Sequence, residues 1–321
     1  MADESLDRLI DPDLMPIVQS QRDRMGSRPP LHAVTPAMMR ERAAAEFEPY
    51  NADPLPLHSV RDFTISHGGR DVPVRLYQPE ADLTGPILVH FHGGGWTIGS
   101  PQLEDASTRL LARDARLRIL SVDYRLSPEH PFPAPLEDAE AVMGWLRANA
   151  AQVAIDPDRI AICGASAGAN VALGAVLRLR DTGQPLPARV VLLYGAYLGH
   201  CDTAAHRAFG DGAFGLTSAA MDYFWLNYTG VENDQRHPHA VPIKADLSGL
   251  PPVFLNHSGL DVLADDTIQL AQAMRDAGLD VTHHAYAGAI HGFTQYVKIS
   301  ALARDAIRTT ADWLAGQLAT G

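Results

Sequence analysis

The sequence has few cysteines, few positive charges and no long hydrophobic run. Only Cys163 and Cys201 occur, which are too few for a disulfide framework. The 38 acidic residues outnumber the 26 lysines and arginines, and the net charge of −12 disfavours nucleic acid as a partner. The most apolar stretch, 190–199, is about half as long as the roughly 20 residues of a membrane-spanning helix. With an acidic N-terminal stretch unlike a signal peptide, we expect a cytoplasmic protein without a membrane span.

Short apolar and β-branched runs alternate with amphipathic stretches from about residue 58 onwards. The runs predict eight strands, at 60–66, 72–77, 86–92, 118–124, 159–164, 190–195, 252–258 and 280–286. Stretches long enough for helices lie between them. Because most of these strands are almost continuously apolar, we expect a mostly parallel α/β sheet with helices on both faces. The first two strands are expected to be antiparallel.

Two segments depart from this alternation. Residues 1–50 contain helix formers interrupted by prolines, and 198–248 contain many aromatic residues but no strand pattern. An insertion between strands can cover the crevice at the carboxyl edge of such a sheet. We therefore divide the chain into a catalytic domain, 51–197 with 249–321, and a helical cap built from 1–50 and 198–248.

A G-x-S-x-G motif, Gly164 to Gly168, lies between a predicted strand and a predicted helix. This context is typical of a nucleophile elbow, in which a strained turn exposes the serine and small neighbours let strand and helix approach closely. The motif makes Ser166 the candidate nucleophile.

A second glycine-rich motif, HGGGW at 92–96, follows a central predicted strand. Glycines at this point can direct backbone N–H groups towards a developing oxyanion, and the N–H of Ala167 can supply another donor. A phosphate-binding loop is disfavoured because no Lys-Ser or Lys-Thr follows the glycines.

A serine nucleophile needs a base and an acid that orients the base. His291 lies in the loop just after the last predicted strand, and Asp261 follows the strand before it by a few residues, which satisfies the order serine, acid, histidine. Asp265 and Asp266 are rivals for the acid, although they open a helix where acidic residues are expected. Two other groups contain histidines: the loop pair His237 and His239, and the cluster His200, Cys201 and His206. Neither has the spacing of zinc ligands, so these residues are interpreted as solvated and no metal site is predicted.

Five motifs together resemble the hormone-sensitive-lipase-like carboxylesterases (bacterial family IV) of the α/β-hydrolase fold. They are HGGGW (92–96), DYRLSPEHPFPA (123–134), GASAG (164–168), DVLADD (261–266) and IHGF (290–293). The resemblance implies a catalytic triad of Ser166, Asp261 and His291. It assigns the oxyanion hole to Gly93, Gly94, Gly95 and Ala167, with Gly93 and His92 shaping the loop and the other three donating.

The resemblance also implies a serine esterase that hydrolyses short to medium acyl esters without a metal or organic cofactor. Trp96, Phe214 and Trp225 are candidates for substrate contact. Members of the family often dimerise through the last strand of the sheet, which allows a homodimer here. The family commonly has Asp or Thr where Ala165 stands, and this departure leaves the substrate range open.

Two alternatives stay open at this point. An amidase or lactonase would use the same triad on a different bond. A ligand-binding protein of the same fold, as in the plant gibberellin receptors, would lack the catalytic histidine, and His291 argues against it.

Overall fold

The computed structural model describes residues 4–25, 33–230 and 237–319, and its centre is one eight-stranded sheet. The strands are β1 (Ser59–His67), β2 (Arg70–Gln78), β3 (Gly85–Phe91), β4 (Arg118–Val122), β5 (Ile155–Ala165), β6 (Arg189–Leu193), β7 (Val253–Leu260) and β8 (Val281–Ile290). Each corresponds to one of the strands predicted from the sequence, with differences only at the ends.

The strands lie in the order β1-β2-β4-β3-β5-β6-β7-β8. β2 pairs antiparallel with β1 and β4, and every other neighbouring pair is parallel. The predicted mostly parallel α/β sheet is therefore confirmed, as is the antiparallel pairing of the first two strands. Because β3 and β5 are neighbours, the loop after β3 and the turn after β5 lie side by side at the carboxyl edge.

Helices cover both faces of the sheet and bury two hydrophobic cores. The described helices are α1 (Glu4–Asp7), α2 (Met15–Met25), α3 (Pro36–Asn51), α4 (Asp105–Ala115), α5 (Ala134–Ala148), α6 (Ala167–Asp181), α7 (Ala204–Phe209), α8 (Ser218–Thr229), α9 (Ala264–Asp276) and α10 (Ala301–Ala319). Leu88 and Val89, adjacent in β3, belong to opposite cores because successive strand residues point to opposite faces. α4 and α10 cover one core, and α5, α6 and α9 cover the other.

The helices α2, α3 and α8 lie over the carboxyl edge of the sheet, where they form the walls of a cavity. The hydroxyl of Thr35 caps α3 and that of Thr217 caps α8, each by accepting a backbone hydrogen bond from the first turn. Arg22 of α2 bonds Asp7 and the carbonyl of Ala213, which joins the N-terminal helices to the insertion after β6. Within the described ranges, no helix is both long enough and apolar enough to cross a membrane.

Candidate active site

Ser166 occupies a strained turn between β5 and α6. Its φ of 54° and ψ of −122° lie in a region that non-glycine residues seldom adopt. A Cβ on Gly164 would collide with the carbonyl of Gly168, and a Cβ on Gly168 would collide with the carbonyl of Phe91. The two glycines therefore permit the close crossing of strand and helix that turns the Ser166 side chain towards the cavity.

Ser166, His291 and Asp261 form one hydrogen-bonded chain. The Ser166 Oγ lies 2.8 Å from Nε2 of His291, and Nδ1 of His291 lies 2.7 Å from Oδ2 of Asp261. The three residues follow β5, β8 and β7, respectively, so parallel strands bring their side chains to the same edge. This is the geometry in which a base takes the serine proton while an acid orients the imidazole.

Asp261 is held in place from its other side. The side chain is buried, and its Oδ1 accepts a hydrogen bond of 3.0 Å from the N–H of Leu263. The rival carboxylates have other partners: Asp265 accepts from the N–H of Ala205, and Asp266 accepts from the N–H groups of Tyr197 and Leu198. Both rivals thus anchor the chain after β6 instead of orienting His291.

The oxyanion loop, residues 92–99, follows β3 and approaches Ser166. Gly94 and Gly95 have φ values of 121° and 57°, which favour glycine. No acceptor among the described residues takes a hydrogen bond from the N–H of either glycine. Ala167 is the first residue of α6, where helical N–H groups lack intrahelical partners. These three donors lie at the cavity that Ser166 lines.

Gly93 differs from Gly94 and Gly95 because its N–H group has a partner within the protein. Its N–H donates a hydrogen bond of 2.8 Å to Oε1 of Glu104, so it is occupied within the protein. Gly93 therefore shapes the loop without donating to a ligand. Sequence reasoning missed Glu104, because a side chain that bonds a loop eleven residues upstream leaves no periodic pattern in the sequence.

His92 supports the same loop. Its Nδ1 lies 2.8 Å from the Gly93 carbonyl oxygen, and its ring stacks on Tyr124, whose hydroxyl donates to the His92 carbonyl. Burial lowers the pKa of His92, which keeps the imidazole neutral. The Tyr124 contact also gives the 123–134 motif a structural role beneath the oxyanion loop.

The cavity above Ser166 has a volume of about 500 Å³. Its apolar walls come from α3, from the segment between β6 and β7 and from the loop after β8, and they include Met39, Phe47, Leu216, Met221, Phe224 and Tyr296. Phe224 packs against Gly95, where a Cβ would overlap its ring. Gln21, Arg42 and Glu46 add polar groups to the lining.

Two of the three aromatic residues predicted to touch substrate lie elsewhere. Trp225 is buried against Trp96 and Tyr228, and Phe214 packs on Phe209 and beneath the guanidinium of Arg22. Neither lines the cavity. Trp96 belongs to the lining, but its side chain is 0% exposed and stacks on Tyr228. These aromatic rings attach the insertion to the oxyanion loop, and Phe224 is the aromatic residue of α8 that faces the cavity.

The interpretation of His206 as solvated is wrong. The residue is 4% exposed, and its Nδ1 lies 3.0 Å from the hydroxyl of Thr203, which also caps α7. The short helix α7 buries this side chain. His239 is partly buried, and its Nε2 lies 2.8 Å from Oδ2 of the exposed Asp181.

Comparisons with known proteins agree with this geometry. A family model described as the α/β-hydrolase fold matches residues 88–295. Carboxylic ester hydrolase LipN of Mycobacterium tuberculosis is 37% identical over 241 residues, which cover 73% of this chain but only 64% of LipN. Carboxylesterase NlhH of the same species is 33% identical over 258 residues, covering 78% of this chain and 81% of NlhH.

A solved structure extends the similarity to nearly the whole chain. The ester hydrolase EH1AB1 from the metagenome of Lake Arreo, in complex with a bipyridine phosphonate derivative, superposes with a TM-score of 0.90 at 31% identity. The superposition covers 97% of this chain and 100% of that one. The chain belongs to the hormone-sensitive-lipase-like carboxylesterases of the α/β-hydrolase fold.

Proposed function

We propose that the protein is a serine carboxylesterase with Ser166 as nucleophile, His291 as base and Asp261 as the residue that orients the base. The observation that carries this proposal is that these three side chains are linked by hydrogen bonds at the bottom of an apolar cavity. His291 takes the proton as Ser166 Oγ attacks the ester carbonyl, and it then protonates the departing alcohol. Water, activated by the same histidine, releases the acid from the acyl-enzyme.

The N–H groups of Gly94, Gly95 and Ala167 stabilise the negative charge that develops on the carbonyl oxygen. Donors fixed in place before the reaction are effective because they need no reorganisation in the transition state. The proposed steps use only these backbone groups, the three side chains and water.

The substrate class is short to medium acyl esters. A cavity of about 500 Å³ with mostly apolar walls supports an uncharged acyl group of modest length. An amidase or lactonase would use the same residues, so the substrate series below also separates these activities. The presence of His291 within 2.8 Å of Ser166 favours catalysis over simple ligand binding.

We also propose a cytoplasmic location and a homodimeric assembly. Cys163 and Cys201 are both free thiols, which supports a reducing cytoplasm. β8 forms one edge of the sheet, and an edge strand can pair with a second copy, which supports a homodimer through β8. Sedimentation at several protein concentrations tests the dimer, and a monomer at all of them would contradict it.

Hydrolysis of p-nitrophenyl esters from acetate to laurate, with EDTA present, tests the activity. We expect turnover that falls beyond about six to eight acyl carbons and a loss of about 10⁶ in kcat for Ser166→Ala. Ser258→Ala is the matched control, because Ser258 is a buried serine outside the cavity lining. No activity of the folded protein on any ester, with activity on anilides or lactones, would overturn the esterase proposal in favour of the alternatives.

A further inference from the structure

A buried carboxylate lies directly beneath the oxyanion loop. Glu104 precedes α4, and it is 4% exposed. A Cβ built on Gly93 would lie 3.2 Å from Oε1 of Glu104 and 3.3 Å from Cβ of Ser166. Gly93 therefore lies against both Glu104 and the nucleophile, although Glu104 does not line the cavity.

Each oxygen of this carboxylate has a partner within the protein. Oε1 accepts the 2.8 Å hydrogen bond from the Gly93 N–H and a longer one, 3.4 Å, from Nε2 of Gln295. Oε2 lies 3.3 Å from Nε2 of His90, whose Nδ1 lies 3.1 Å from the hydroxyl of Ser121. A buried carboxylate without such partners would be costly, so this arrangement specifies where the Glu104 side chain lies.

Hydrogen-bond partners fix both the N–H and the carbonyl oxygen of Gly93. Glu104 takes its N–H, and Nδ1 of His92 lies 2.8 Å from its carbonyl oxygen. In a trans peptide unit the carbonyl of one residue and the N–H of the next point in opposite directions. Because the Gly93 carbonyl faces His92, the N–H of Gly94 points the other way, away from the His92 ring.

We propose that Glu104 is a positioning residue that fixes the oxyanion loop by accepting the Gly93 N–H, so that the Gly94 and Gly95 donors are aligned before substrate binds. This inference rests on the proposed serine esterase function. Through Gln295, which lines the cavity four residues after His291, Glu104 also connects the oxyanion loop to the loop that carries the base.

The test compares Glu104→Ala, Glu104→Asp and Glu104→Gln in the full-length protein. Asp105→Asn is the matched control, because Asp105 is the adjacent carboxylate, is 6% exposed, and bonds Arg75, Tyr77 and Arg109 instead of the oxyanion loop. Reactive sites are counted by titration with a p-nitrophenyl alkylphosphonate, and kcat and KM for p-nitrophenyl butyrate are expressed per reactive site.

We expect Glu104→Ala to lower kcat per site by about 10²-fold, as for the loss of one oxyanion donor, with KM changed by less than about threefold. Glu104→Asp has a shorter side chain, which moves the carboxylate away from the Gly93 N–H, and it is expected to lower kcat at least about tenfold. This variant serves as the test if the alanine variant does not fold. Glu104→Gln keeps an acceptor oxygen and is expected to remain within about tenfold of the unmodified protein.

Two results would overturn the inference. One is a kcat per site in Glu104→Ala and Glu104→Asp equal to that of the unmodified protein. The other is an equal loss in Asp105→Asn, which would indicate a general structural effect. A protein that neither reacts with the phosphonate nor hydrolyses the ester before any substitution would instead contradict the proposed function, so the two failures are distinguishable.

Discussion

At the scale of single residues, the site depends on backbone positions that tolerate almost no side chain. Gly95 has a φ of 57°, and the ring of Phe224 occupies the place where its Cβ would lie. The small residues around Ser166 serve the same purpose, because strand, helix and oxyanion loop meet there at backbone distance. Steric exclusion of this kind makes the catalytic loops sensitive to the addition of a single methyl group.

Gly95→Ala should therefore lower kcat by about 10²–10³, because the loop or Phe224 must move and an oxyanion donor is displaced. Gly183→Ala is the matched control: it has a similar φ of 67°, but no atom lies within 4 Å of its Cβ position. Steady-state kinetics of both variants checks the expectation. A kcat of Gly95→Ala equal to that of Gly183→Ala would contradict the expectation that the clash with Phe224 displaces an oxyanion donor.

Asp266 makes stability depend on pH. Burial, which is the largest cause, raises its pKa from 3.8 to about 7, and the charges of Asp261 and Asp265 add to this effect. The folded state thus holds a proton that the unfolded state releases. The resulting contribution to the free energy of unfolding is fully present below about pH 4 and is lost as pH rises towards about 7. Relative to the unmodified protein, Asp266→Asn should gain up to about 1.4 kcal/mol of stability per pH unit in this window.

Thermal unfolding at pH 5 and pH 8 measures this difference. The Tm of Asp266→Asn minus that of the unmodified protein should be larger at pH 8. Asp265→Asn is the control, since Asp265 is only partly buried and bonds the Ala205 N–H. The same Tm difference at both pH values for Asp266→Asn would contradict the assignment.

At the scale of elements, the position of α3 determines one wall of the cavity. Arg40 of this helix bonds the carbonyls of Thr97 and Ser127 and forms an ion pair of 2.7 Å with Glu129. It thereby ties α3 to the oxyanion loop and to the 123–134 motif. Met39, Ala43 and Phe47 of the same helix line the cavity.

Arg40→Ala should raise KM for p-nitrophenyl hexanoate more than it lowers kcat, because α3 loses its attachment while the triad keeps its contacts. Glu129→Ala should have a smaller effect, since it removes an exposed ion pair worth less than about 1 kcal/mol and leaves both carbonyl bonds. Measuring KM and kcat of the two variants tests whether Arg40→Ala has the larger effect. A greater rise in KM for Glu129→Ala than for Arg40→Ala would contradict it.

Strands and motif residues could be predicted from the sequence because their signals are local. The eight apolar runs are periodic, and Ser166, Asp261 and His291 each directly follow a strand. The residues that hold the loops in place have no such local signal in the sequence. The contact of Glu104 with Gly93 spans eleven residues without a periodic pattern, and those of Arg40 with Thr97 and of Asp266 with Tyr197 join residues 57 and 69 positions apart. Trp225 and Phe224 are adjacent aromatic residues, and only their orientation on α8 separates core packing from cavity lining.

At the scale of the whole molecule, one mostly parallel sheet gathers segments from most of the chain at a single edge. Turns after β3, β5, β7 and β8 supply the oxyanion loop, nucleophile, acid and base, while α2, α3 and α8 close the space above them. The N-terminal segment is anchored independently: the N–H of Asp11 bonds the Gly288 carbonyl of β8, and Asp13 accepts from the N–H of Ala301. Catalysis therefore depends on how the sheet aligns distant segments.

The most direct test of the catalytic assignment is mass spectrometry of the intact and digested protein after reaction with a p-nitrophenyl alkylphosphonate. Attack by Ser166 Oγ forms a bond to phosphorus and releases p-nitrophenolate, with the serine proton passing to His291. We predict one adduct per chain, located on Ser166, with no adduct in Ser166→Ala and much slower labelling in His291→Ala. An adduct on another residue, or ester hydrolysis that persists in Ser166→Ala, would contradict the assignment of Ser166 as the nucleophile.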